Sequence, residues 1–226
     1  MSIPLDPTLA PAPEVRLDDP LPLLLLRDEL AVDAAVASPD EAARVLPQLI
    51  GLVIGGFVAQ ALCTGILWSA FGGSPLLEGA HLAVRWAFAL CGGYFLAICA
   101  GLPGYWFHTV VLGITPPAWR IALELVRVQA VGSVVLAAVL PLWVAACLGL
   151  WMLGGDLPDG VVLAGNALPM LCALPGLTGL TRSFARMGRV RGVRYPVGAG
   201  RFLTLWWAGA FVCTAPVTAY RLLALL

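Results

Sequence analysis

The chain has 226 residues, 60% hydrophobic and 12% charged, with thirteen acidic side chains balanced by thirteen basic ones. Soluble domains carry about one-quarter charged residues, so this chain has too few to cover a water-facing surface. Its apolar residues gather instead into blocks of roughly 20, the length that crosses a hydrocarbon core ~30 Å thick. The expected fold is an all-α, polytopic transmembrane bundle of about five spans with helices kinked at proline.

Zero net charge conceals a segregation. Through Arg44 the chain carries nine acidic side chains against three arginines; beyond it, ten arginines face four acids. One end is an acidic head and the rest an arginine-bearing membrane body. Six cysteines all fall inside apolar segments without a CxxC pair, where they act as small hydrophobes, so no disulfide framework or thiolate metal site is expected.

Residues 1–22 contain six prolines and read as an extended tail. The run LPLLLL at 21–26 meets Arg27, Asp28 and Glu29 rather than a small-residue cleavage site, so it does not read as a signal peptide. Residues 23–46 form an acidic, interfacial segment. Within it Leu23, Leu26, Leu30 and Ala34 share one face of an amphipathic helix, and its acidic polar side makes adsorption to an anionic leaflet unfavourable. Ser38-Pro39-Asp40-Glu41 is a helix start, with Ser38 as cap, Pro39 in the first helical position and Glu41 able to reach back.

Residues 47–226 form the transmembrane domain. Span one covers about 47–70 and ends at Gly72-Gly73-Ser74-Pro75. Gly51, Gly55 and Gly56 in it are candidate helix-packing positions, and Gln60 is its amide at mid-depth. Span two covers about 86–114, longer than a perpendicular crossing needs; Pro103 between Gly101 and Gly104 predicts a kink, or a span followed by a re-entrant segment. Span three covers about 128–153, preceded by helical turns in which Arg120, Glu124 and Arg127 are spaced to pair along one face. Span four, about 161–181, holds Asn166, Pro169 and Pro175 and is the least regular. Span five covers about 202–225.

Between spans four and five, Arg182, Arg186, Arg189, Arg191, Arg194 and Arg201 stand without an acid. Placed on the cytoplasmic side, they put the N-terminal head inside and the C-terminus outside a bacterial-type cytoplasmic membrane. The same arginines are candidate contacts for anionic lipid headgroups or an acidic partner, the chain's own head included.

No acid lies near the middle of a predicted span, which argues against carboxylate-coupled transport. His81 and His108 fall on opposite sides and form no metal pair. No GxSxG elbow and no P-loop occur, and no catalytic residue, cofactor or nucleic-acid partner is implied. Two functions follow as expectations. The first is a non-enzymatic scaffold or subunit of a membrane assembly, a homo- or hetero-oligomer through its helices with a cytoplasmic protein partner for the acidic head. The second is an oligomeric transporter or channel-like protein for a small solute or lipid, lined by Gln60, Gln129 and Asn166.

Overall fold

The structure, a computed structural model, describes residues 21–27, 39–72, 75–154, 158–190 and 197–225. These residues are helical or lie in short turns, with no strand among them. In chain order the helices are α1 (Leu21–Arg27), α2 (Pro39–Gly72), α3 (Leu76–Val111), α4 (Ala118–Met152), α5 (Pro158–Val190) and α6 (Val197–Leu225). The fold is all-α, and among the described residues α2, α3 and α4 are long and apolar enough to cross a membrane. The protein is therefore a helical, multi-span membrane protein.

The helices outrun the apolar blocks of the sequence. α3 begins at Leu76 rather than near 86, and its 36 residues extend over about 54 Å. α5 continues to Val190, so Arg182, Arg186 and Arg189 belong to a helix and not to a loop. Hydropathy marks where lipid is met; a helix goes on until a breaker stops it. Pro75 precedes α3 and no proline follows before Pro103, while beyond α5 the breakers Gly192 and Pro196 come only after the arginines. α3 is continuous through Pro103, without the break that a re-entrant segment needs.

Helix ends follow local chemistry. α2 carries Asp40 and Glu41 in its first turn, where carboxylates complement the helix dipole; the expected cap, Ser38, lies outside the described residues. α3 closes on Gly113, whose φ of 78° is the left-handed conformation that glycine adopts without strain. The amide of Gly113 then reaches the Val110 carbonyl at 2.9 Å and that of Ile114 the Thr109 carbonyl at 3.0 Å, which satisfies two last-turn carbonyls.

Within the bundle α3 lies between α6 and α2, α4 lies between α2 and α5, and α5 also meets α6 and α2. Small residues set these approaches. A Cβ on Gly93 would stand 2.7 Å from the Ala219 backbone, one on Gly132 3.0 Å from Ala173 Cα, and one on Gly176 2.7 Å from the Val128 carbonyl. Where lipid offers no hydrophobic gain between helices, such close backbone packing supplies the attraction.

Aromatic rings fill the middle. Phe57 of α2 meets Tyr94 of α3 at 4.4 Å, Tyr94 meets Phe211 of α6 at 5.2 Å, and Phe211 stacks on Trp207 at 5.0 Å. Trp207 contacts Tyr105 at 6.5 Å, and Tyr105 contacts Phe184 of α5 at 5.2 Å. All six rings are buried, and this column ties four helices together through tilted, edge-on and stacked contacts.

α1 packs on α4. Leu25 is buried there and Leu21 packs against the same core, while Leu26, of the expected amphipathic face, is 53% exposed; the side chain of Leu23 lies outside the described residues. Leu30 and Ala34 lie outside the described residues.

Candidate functional site

Polar side chains buried in lipid must find partners inside the protein, so each shows what the fold needs or leaves open. The hydroxyl of Thr64 donates to the Gln60 carbonyl at 2.9 Å, and that of Thr181 to Leu177 at 2.9 Å. Such bonds to the preceding turn let hydroxyls sit in apolar helices. Thr218 also donates across the interface to the Gly93 carbonyl of α3 at 3.0 Å.

Gln60 has a specific task. It is 1% exposed, and its Nε2 donates to the Gly165 carbonyl of α5 at 3.0 Å. That carbonyl would ordinarily accept from the amide four residues later, but position 169 is proline, which has no N–H. Gln60 thus supplies the donor that Pro169 removes. Gly165 leaves the room, since a Cβ there would come within 3.3 Å of Gln60 Nε2. Oε1 of Gln60 is buried without a hydrogen bond among the described residues.

Gln129, another expected lining residue, does not join it. Gln129 is 2% exposed, and its Nε2 makes no hydrogen bond among the described residues. Gly56 lies against Ser133. Gln60 is one turn beyond Gly56 and Gln129 one turn before Ser133, which separates the two amides by about 12 Å along the axis. The Asn166 side chain lies outside the described residues.

A second polar cluster joins α4 to α5 near one end of the bundle. Glu124 and Arg127 are 2% and 5% exposed. Ser183 Oγ donates to Glu124 Oε1 at 2.7 Å, and Arg127 Nη1 stands 3.6 Å from Glu124 Oε2. The sequence spacing anticipates a pair here; what it misses is the burial and the Ser183 partner. A signal was present, because Ile121, Leu125 and Val128, all buried, bracket Glu124 at helical spacing and put it on the inward stripe.

Beside this pair, between α1, α4 and α5, lies a cavity of about 190 Å³. Leu25, Val128, Val131 and Leu180 give it apolar walls, and Glu124 and Arg127 give it a charged one. Gln60 and Gln129 are not among the described residues that border it.

The described ones among the remaining expected residues do not border this cavity. Gly51 and Gly55 are exposed, and a Cβ on either would meet nothing within 4 Å. Of the arginines, Arg182 and Arg201 are exposed and Arg186 is half-buried; Arg191 and Arg194, and the side chain of Arg189, lie outside the described residues. His81 and His108 stand on the same helix about 40 Å apart. His108 Nδ1 donates to the Gly104 carbonyl at 2.6 Å, and its ring lies 4.7 Å from Trp206. Among the described residues no three His, Cys, Asp or Glu side chains converge as metal ligands would.

Compared with family models, with curated proteins and with solved structures, the chain matches none. The functional reading therefore rests on the molecule itself.

Proposed function

We propose that this protein is a non-enzymatic scaffold or subunit of an assembly in a bacterial-type cytoplasmic membrane. In this reading α2 to α6 make five spans bent at their prolines, with the acidic head inside and the C-terminus outside. The observation that carries it is the bond from Gln60 to the carbonyl orphaned by Pro169. The mid-depth amide best placed to line a path is committed to holding α2 against α5. Aromatic rings occupy the middle of the bundle, which fits packing better than conduction.

Two further features support it. α2 turns Gly51, Ile54, Gly55, Leu62 and Ile66 outward, a face of small and apolar residues suited to close approach by another helix. Arg44, Arg120, Arg182, Arg186 and Arg201 gather at the end of the bundle where α2, α4 and α6 start and α5 finishes, as the positive-inside rule requires of a cytoplasmic end.

The test is native mass spectrometry of the full chain gently extracted from its own membrane, with co-purifying chains identified. A stable hetero-complex that comes apart when residues 1–37 are deleted is the expected result. A monomer that moves a solute across liposomes would replace this reading with the transporter.

A further inference from the structure

Where α3 ends beside the start of α6, a histidine, an arginine and a tryptophan share the seam between the two helices. His108 is half-buried, and its Nδ1 bonds the Gly104 carbonyl at 2.6 Å. A carbonyl can only accept, so Nδ1 carries the proton, and the neutral ring keeps its lone pair on Nε2, turned away from the α3 backbone. Trp206 of α6 steadies the ring at 4.7 Å. Gly104 leaves room for that indole, since a Cβ there would stand 3.0 Å from it. The result is a hydrogen-bond acceptor held in a fixed place.

Arg201 adds a cation. It starts five residues before Trp206, about 7.5 Å along α6. At heptad spacing from Ala208 and Ala215, it lies on the stripe that continues to Ala219 against Gly93 of α3. Arg201 is exposed, and neither α6 nor α3 beyond Glu78 carries an acid. The depth is marked as well. α3, long and apolar enough to cross a membrane, finishes here at Val111, and Trp106, Trp119 and Trp206 are all exposed at this end, as tryptophans at headgroup level are. Phe107, Phe202 and Leu205 expose apolar surface alongside.

A ligand for this cluster brings an anion for Arg201 and, close to it, an N–H donor for His108 Nε2, both carried on an apolar body. We propose that the end of the α3–α6 seam binds a phospholipid with a primary ammonium headgroup, phosphatidylethanolamine in its simplest form. Its phosphate lies on the Arg201 guanidinium, whose fork offers two parallel N–H donors, and its ammonium donates to His108 Nε2. Phosphatidylcholine has the same charges but no N–H, so it keeps the first contact and loses the second. The site needs a headgroup layer at this end of the bundle and does not depend on which side of the membrane that is.

The full chain, delipidated in detergent micelles at about pH 8, where an ordinary imidazole is neutral, is titrated with short-chain phosphatidylethanolamine, phosphatidylcholine and phosphatidylglycerol. Native mass spectrometry reads the bound lipid. Phosphatidylethanolamine is expected to bind about tenfold tighter than phosphatidylcholine, the difference that one charge-assisted hydrogen bond makes. Arg201→Gln, at an exposed position, weakens both about tenfold for the same reason. His108→Phe keeps a ring against Trp206 and removes the acceptor, so it abolishes the preference and leaves phosphatidylcholine binding unchanged. Equal binding of phosphatidylethanolamine and phosphatidylcholine, or binding unaltered by Arg201→Gln, would overturn the proposal. So would phosphatidylglycerol binding tightest of the three with His108→Phe silent, the mark of a plain positive patch.

Discussion

Two of the places where the bundle buries polar groups differ in what surrounds them. At mid-depth the Gln60 amide meets the Gly165 carbonyl in a close-packed contact, answering a vacancy that Pro169 creates. Near the end of the bundle, Glu124 and Arg127 are equally sealed from water but border an open space. Burial alone does not separate a structural polar group from a binding one. The distinguishing question is whether the group's partners account for it and whether room remains beside it.

That comparison can be broken most forcefully at the ion pair. Arg127→Ala should cost about 3–5 kcal/mol, because it strands the buried Glu124 carboxylate. Most of that loss should be recovered in Glu124→Gln/Arg127→Gln, where Ser183 still has an oxygen to bond. Unfolding in mixed micelles measures both; equal losses would mean that the charge of Glu124 is not what makes the single change costly.

A smaller effect is expected where helices touch. Gly176→Val should destabilise by about 1–3 kcal/mol, as overpacking does, because the new side chain has no room against the Val128 carbonyl. No loss is expected on the outward face of α2. Gly51→Leu/Gly55→Leu should raise stability by about 0.5–1 kcal/mol per site, because leucine is the better helix former and a Cβ at either position meets no other described residue within 4 Å. If this face docks another helix, the same pair should nonetheless dissociate the native assembly, which its mass reads directly.

These contrasts also show what the sequence could disclose. The helical class and membrane setting were legible, because an apolar block long enough to cross a bilayer has few other folds open to it. Helix ends were less so: the segments around Glu78 and from Arg182 to Val190 read as loops by polarity, yet nothing in them stops a helix. Glu124 lay on a readable stripe with Ile121, Leu125 and Val128. Ser183 was not readable, since a serine in a polar stretch looks the same whether it faces water or a carboxylate 59 positions away. The link between Gln60 and Pro169 was beyond reach for the same reason. Each residue is visible alone, as an amide and as a helix breaker, but only the register of α2 on α5 makes one answer the other.

The role of Gln60 is tested most directly by a double-mutant cycle between Gln60→Leu and Pro169→Ala, read as unfolding free energy. Alanine at 169 restores the backbone donor to the Gly165 carbonyl, so Gln60→Leu should cost about 1–2 kcal/mol in the native sequence and much less beside Pro169→Ala. Additive losses across the cycle would contradict the account, because Gln60 would then be doing something other than closing the gap that the proline leaves.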